Sequence, residues 1–217
     1  MPSFVAINFG SERVHLLGDR AVYWSAQRTL LLADVHLGKD ASFRAAGMPV
    51  PAGNSTKDLA RIESLLKETA AQRLVILGDL VHNRSSHQAE LAAAFGTWRA
   101  KHRELDVLLI RGNHDRRAGP VPGDWDAREE AEPFDAGAFI FSHEPRGADK
   151  PVLCGHVHPS VAVRDFDGSY ANLCCFVVEE KQLILPAFGS FTGGFKMGAE
   201  AGRKIYAVVG KSVVLIK

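Results

Sequence analysis

Seven residues of this chain carry side chains that bind divalent metals, and they fall in five short segments. Asp34 and His36 lie in ADVH, Asp79 in GDLVH, Asn113 in GNHD, His143 in SH, and His156 and His158 in GHVH. The donors are carboxylate, imidazole and amide oxygen, with no thiolate, a mixture that suits manganese, iron, zinc or a similar divalent ion. Seven donors exceed what one ion needs. With one carboxylate shared they make a two-metal centre, whose ions stand roughly 3.5–4 Å apart and clamp phosphoryl oxygens. Water held between two such ions becomes available as hydroxide near neutral pH and can attack phosphorus in line. Each residue alone has an ordinary explanation, because a lone Asp after a strand often caps a helix and a lone His is more often structural. Five compatible segments in one chain argue for a shared role.

The elements around these segments explain how they can meet. Residues 29–33 (TLLLA), 74–77 (LVIL) and 107–110 (VLLI) read as buried strands. Between them, residues 54–72 and 85–102 read as amphipathic helices, the first capped by Asn54 or Ser55 and the second with a stripe of Leu91, Ala94, Phe95 and Trp98. This strand–helix alternation predicts an α/β fold with a parallel sheet and right-handed crossovers. Residues 116–133 read as a loop, and whatever restricts access to the site is expected to come from it or from a partner. Strands are then expected over 138–141, 152–154, 161–165, 173–178, 183–185, 205–209 and 213–216, with Asp167-Gly168 turning a hairpin. Every metal-binding segment follows a strand, and ligands of open α/β sheets bind at the carboxyl ends of strands. In extended chain, residues two apart point to one side, which predicts that Asp34 and His36 share a cavity, as do His156 and His158. Glycines before Asp79, Asn113 and His156 let the backbone turn or approach closely.

Bulk properties set the remaining bounds. A single domain over residues 1–217 is expected, with 46% apolar and 24% charged residues. A net charge of +1 offers no global attraction for nucleic acid or membrane, so an anionic substrate must be drawn locally. Three cysteines, two of them adjacent, suggest neither a disulfide framework nor a thiolate zinc site. No signal peptide and no apolar run long enough for a membrane span are evident, so a cytoplasmic protein without a membrane partner is expected.

The five motifs, in this order, resemble the calcineurin-like metallophosphoesterases. The resemblance implies a four-layer sandwich of two mixed β-sheets flanked by helices. It implies that one ion takes Asp34, His36 and His158, the other takes Asn113, His143 and His156, and Asp79 bridges them. It also implies that His114 is the general acid or transition-state stabiliser, while Asp115 orients it or closes the turn. His82 stands where the resembled protein phosphatases carry Asp, and looks like the Gly-Asp-hydrophobic-x-His of nucleases that process double-strand breaks. A catalytic role for His82 in diester cleavage is expected, against a purely hydrogen-bonding one.

The stretches HLGK, FR and GMPVP within residues 36–51, and LPAFGSFTGG at 185–194, resemble the bacterial DNA-ligase-associated metallophosphoesterases. That resemblance implies a manganese-dependent phosphodiesterase or endonuclease, with iron or zinc as alternative metals. It also implies a DNA-repair setting with functional links to a ligase, a helicase and an exonuclease. DNA or another phosphodiester is the expected substrate, and a hydrolase of a small phosphate mono- or diester is the alternative. Lys39, Arg44 and Arg84 follow metal motifs and are expected to reach substrate phosphates. Phe188, Phe191 and Phe195 read as core or loop-fixing residues before base-stacking ones. The oligomeric state stays open.

Overall fold

The computed structural model describes residues 4–84, 89–164 and 168–216. Four strands form the frame of the first sheet: β4 (Thr29–Leu32), β5 (Arg73–Leu77), β6 (Asp106–Ile110) and the edge strand β7 (Arg128–Glu130), paired in that order and all parallel. Three further strands, β1 (Phe4–Phe9), β2 (Glu12–Leu17) and β3 (Ala21–Trp24), extend this sheet as an antiparallel meander ending on β4. The sequence reading begins at residue 29 and misses them, so the sheet is mixed rather than wholly parallel. The crossover helices are α2 (Asn54–Thr69) and α3 (Ala89–Lys101), and a shorter helix α1 (Lys39–Ala45), also unanticipated, follows β4. Residues 85–88 of the expected second helix lie outside the described residues.

Strand periodicity divides the core. Leu30, Leu32, Leu74, Ile76, Val107 and Leu109 face the helices, where they meet Leu59, Ile62, Leu65 and Leu66 of α2 and Phe95 and Trp98 of α3. Each such side chain, fully buried, contributes about 1.5–3 kcal/mol. The alternate residues Leu31, Ala33, Val75, Leu77, Leu108 and Ile110 face a second sheet. That sheet runs β14 (Phe195–Lys196), β11 (Pro159–Arg164), β12 (Tyr170–Val178), β13 (Gln182–Ile184), β10 (Val152–Cys154), β9 (Ile140–Phe141), β8 (Phe134–Asp135), with β15 (Lys204–Val209) on β12 and β16 (Ser212–Leu215) on β15. It too is mixed, β10 lying parallel to both β9 and β13 while β12 is antiparallel to its neighbours. The architecture is two mixed sheets flanked by helices. Of the expected hairpin between β11 and β12, Gly168 takes a left-handed φ of 88°, and Asp167 lies outside the described residues.

Two local expectations change. Neither Asn54 nor Ser55 caps α2 with its side chain; Gly53 is the N-cap, the Asp40 carboxylate accepts from the Asn54 N–H, and Ser55 Oγ accepts from the Gly38 N–H. Residues 116–133 are also part of the fold and no simple lid. They contain the end of α4 (Asn113–Ala118), the strand β7, and Trp125, fully buried and stacked on Phe95 at 4.1 Å. No helix among the described residues is long and apolar enough to cross a membrane.

Candidate metal centre

All five segments arrive at one end of the two sheets, each just beyond the carboxyl end of its strand: β4 for Asp34 and His36, β5 for Asp79, β6 for Asn113, β9 for His143, β10 for His156 and His158. The backbone reaches them differently from the extended geometry expected. Asp34, His36, Asp79, His156 and His158 all have positive φ, between 50° and 69°. The period of two survives because each second residue is left-handed rather than because the chain is extended. Such conformations cost about 1–3 kcal/mol each for residues with a side chain and persist where surroundings over-determine them. Here the surroundings do so. Asp34 N and His36 N donate to the carbonyls of Gly78 and Asp79, and Leu37 N donates to that of Leu80, so the β4–β5 pairing continues into both loops. On the other flank, Phe188 N and Gly189 N donate to the carbonyls of Ala33 and Asp34. The late LPAFG stretch therefore clamps the first motif.

Two clusters of donor atoms result. In the first, His158 Nε2 lies 3.2 Å from Asp34 Oδ1 and 3.3 Å from His36 Nε2. In the second, His143 Nε2 lies 3.0 Å from both Asn113 Oδ1 and His156 Nδ1. Asp79 Oδ2 stands between them, 3.9 Å from His36 Nε2 and 3.5 Å from His143 Nε2. Its other oxygen accepts from the His114 backbone N–H at 2.9 Å.

Proton inventory shows what these clusters lack. His143 is fully buried, and its Nδ1 lies 3.1 Å from the Leu77 carbonyl, which can only accept. In the neutral ring the proton is therefore on Nδ1, and the Nε2 lone pair faces an amide oxygen, a carboxylate and a second imidazole. Asp34 Oδ1 is buried without a hydrogen-bond partner among the described residues. Burial, with Lys39, His158 and His114 beside it, lowers the His36 pKa to about 2, so this ring is a neutral lone-pair donor. Burial raises the Asp79 pKa. Buried imidazole nitrogens and carboxylates converging in this way fit divalent cations, and the Leu77 carbonyl orients one imidazole as metal-ligating histidines require.

Close packing supports the same reading. A Cβ at Gly78 would fall 2.1 Å from His143 Nδ1, and one at Gly112 would fall 2.2 Å from Asp79 Oδ1. Side chains at these two positions would occupy the cradle itself.

His114 sits at the open side. Its Nδ1–H donates to the His82 carbonyl at 2.5 Å, which turns Nε2 toward the centre, 4.0 Å from Asp79 Oδ2. The His82 ring stacks on His114 (centroids 5.0 Å apart, 24° between planes) and on Phe43 (6.1 Å, 19°). Burial, then His114 and Lys39, lower the His82 pKa to about 4.

A family model for calcineurin-like phosphoesterases matches residues 27–181, a stretch that contains all seven donors. The chain belongs to that family. It is a metal-dependent phosphoesterase, since the calcineurin-like phosphoesterases use divalent metals and the clusters supply candidate ligands. No curated protein matches it. Among solved structures it is similar to the Pseudomonas putida nuclease MPE, at 39% identity and a TM-score of 0.87, with 99% of this chain and 100% of that one covered. It also matches the phosphoesterase Yfce from E. coli, at 15% identity and a TM-score of 0.42 over 86% of this chain and 96% of that one, a likeness too remote to carry an argument.

Other family-motif residues fall into place around the donors. Asp115 closes the turn, as one of its two expected roles had it, and also does more: Oδ2 accepts from the N–H of Asp79 (2.7 Å) and Gly112 (3.0 Å), and Oδ1 from that of Val81 (3.1 Å). It ties the second motif to the third. Burial pushes its pKa up to about 7 against those three hydrogen bonds. Asp115→Asn would present an NH2 group to backbone donors. Chemical denaturation should show a loss of about 1–3 kcal/mol, with weaker metal retention in dialysis; an unchanged midpoint would remove this tie from the account. Glu132, which carries no signal in the sequence, accepts from the N–H of His143 (2.7 Å) and Glu144 (3.0 Å) and from Ser142 Oγ (2.8 Å), fixing the segment that presents His143.

The three cations expected to meet phosphate differ in placement. Lys39 lines a cavity of about 330 Å³ with Phe43 and Phe191. Arg44 is bonded to the Asp40 carboxylate and the Pro51 carbonyl, each at 3.2 Å. Arg84 is exposed, just before residues outside the described set. Of the aromatics, Phe188 is fully buried, as expected, whereas Phe191 and Phe195 are 38% and 65% exposed.

Proposed function

We propose that the chain is a phosphodiesterase acting on nucleic acid, with a centre of two divalent ions held by Asp34, His36 and His158 on one side, Asn113, His143 and His156 on the other, and Asp79 between. The observation that carries the nucleic-acid reading is the full-length similarity to a protein named as a nuclease. Two divalent cations, when bound, supply positive charge against the phosphoryl oxygens and an acidified water as nucleophile. The chain's own residues do the rest. Asp34 and Asp79 offset the cations' charge, and the left-handed loops hold the donors convergent before substrate arrives. His114, with Nδ1 tied to the His82 carbonyl, presents Nε2 to the leaving group. In its protonated form it delivers a proton to the departing oxygen. His82, held neutral by burial, stacks on His114 and keeps that ring in register. Lys39, beside the cavity that Phe43 and Phe191 line, and the exposed Arg84 are assigned to substrate phosphates, and Arg44 reaches them only by leaving Asp40.

Manganese is the metal we favour, and an oxygen- and imidazole-rich donor set supports it. Three free cysteines, two of them buried, support a reducing compartment such as the cytoplasm. The resemblance of residues 36–51 and 185–194 to the ligase-associated group supports a role in DNA repair.

Activity is compared on a phosphomonoester, bis(4-nitrophenyl) phosphate, single-stranded DNA and duplex DNA, with manganese and with chelator. Turnover of the diester and of DNA, restored by manganese after chelation, is expected. Turnover of the monoester alone would select the small-ester alternative.

A further inference from the structure

Arg20 lies in the turn between β2 and β3, half-buried and left-handed at a φ of 66°. Its Nη1 donates to the carbonyls of Ala187 (3.2 Å) and Gly189 (3.3 Å), the clamp on the first metal motif. These are its only side-chain hydrogen bonds among the described residues, and no carboxylate there comes within ion-pair distance of it. The acids nearby are engaged elsewhere. Asp58 holds Arg61 at 2.9 Å and accepts from Ser190, and Asp19 faces Arg61 at 3.8 Å and Lys211 at 3.9 Å. Burial, and after it the charge of Arg61, lower the Arg20 pKa. Asp58 and Asp19 thus pair directly with Arg61 and act on Arg20 only from a distance, so the half-buried Arg20 guanidinium has no carboxylate in direct contact.

Arg20 lines a cavity of about 360 Å³ whose wall also includes Ser160, Asn172, Lys196 and the candidate metal ligand His158. An anion drawn into this space borders the candidate metal centre at His158. Thr192 and Gly193 border both this cavity and the one lined by Lys39, so the two spaces flank one loop.

We propose that Arg20 binds a substrate phosphate neighbouring the one that is cleaved, which makes it a specificity-determining residue favouring polynucleotides over isolated diesters. The assignment rests on the phosphodiesterase reading. A guanidinium suits it because its planar donors pair with phosphate while Nη1 keeps its carbonyl contacts.

The test compares wild type, Arg20→Ala and Arg20→Lys, loaded with manganese, on two substrates. Bis(4-nitrophenyl) phosphate has a single phosphate; a labelled single-stranded oligodeoxynucleotide has neighbours to the scissile one. In Arg20→Ala, KM for the oligonucleotide should rise about tenfold or more relative to KM for the aryl diester. Arg20→Lys should recover most of the loss. The salt dependence of oligonucleotide binding should lose about 0.7 of its log–log slope in Arg20→Ala. Equal losses on both substrates, unrescued by lysine, would show that Arg20 only anchors residues 187–189 and would overturn the assignment. So would an unchanged KM on the oligonucleotide. If wild type turns over the aryl diester and no oligonucleotide, the assignment falls while the phosphodiesterase reading stands. If wild type turns over neither, both fall.

Discussion

Asp79→Asn is expected to abolish hydrolysis and to release both metal ions. Asp79 Oδ2 lies within 4 Å of one imidazole Nε2 from each donor cluster, His36 in the first and His143 in the second. Replacing it with an amide removes a negative charge from each candidate site at once. Metal-supplied charge stabilises such transition states by several kcal/mol, so activity should fall on the order of 10³-fold or more. The folded chain should tolerate the change. Burial raises the Asp79 pKa above its ordinary value, so at neutral pH the ionised carboxylate disfavours the metal-free fold, and a neutral amide relieves that. The Asn Oδ1 can still accept from the His114 N–H. The metal-free variant should therefore melt at or above metal-free wild type, while losing the stabilisation that manganese gives wild type. A variant that keeps two ions would remove Asp79 from its bridging place.

His114→Ala should behave in the opposite way, keeping both ions and losing turnover. His114 contributes its ring at the open side, and its backbone N–H to Asp79 survives the substitution. The expected fall in kcat is about 10²–10⁴-fold on DNA, the range for a lost general acid. It should be smaller on a nitrophenyl diester, because nitrophenoxide leaves without needing a proton. Equal losses on the two substrates would argue that His114 stabilises charge on the phosphoryl group rather than protonating the leaving oxygen. His82→Ala, which removes only the stacking partner, should fall between wild type and His114→Ala in kcat on DNA.

The candidate metal centre was legible in the sequence because it repeats a positional rule: donors placed at the carboxyl ends of strands, in residue types that can share a metal. The strands behind it were legible for a related reason, since β4, β5 and β6 are buried on both faces and read as unbroken apolar runs. β1 to β3 were not, because their burial alternates irregularly and His15 and Arg13 interrupt them. The left-handed conformation of Asp34, His36, Asp79, His156 and His158 leaves no mark in residue type. For Asp34, His36 and Asp79 it goes with hydrogen bonds that loops 34–37, 78–82 and 187–189 make with one another across long sequence distances, and the His156 N–H donates to the Asp34 carboxylate from 122 residues away. Asp115 could be noticed within GNHD, but its link to Asp79 spans 36 residues. Arg20 precedes every motif and meets the site only because β2 and β3 carry it to the segment at residues 187–189.

The central claim is that seven side chains hold two ions. Anomalous scattering from crystals of the manganese-loaded protein measures this directly. Two peaks per chain are predicted, one against Asp34, His36 and His158, the other against Asn113, His143 and His156, with Asp79 touching both. A single peak, or one resting on His36, His82 and His114, which also converge closely enough to hold an ion, would contradict it.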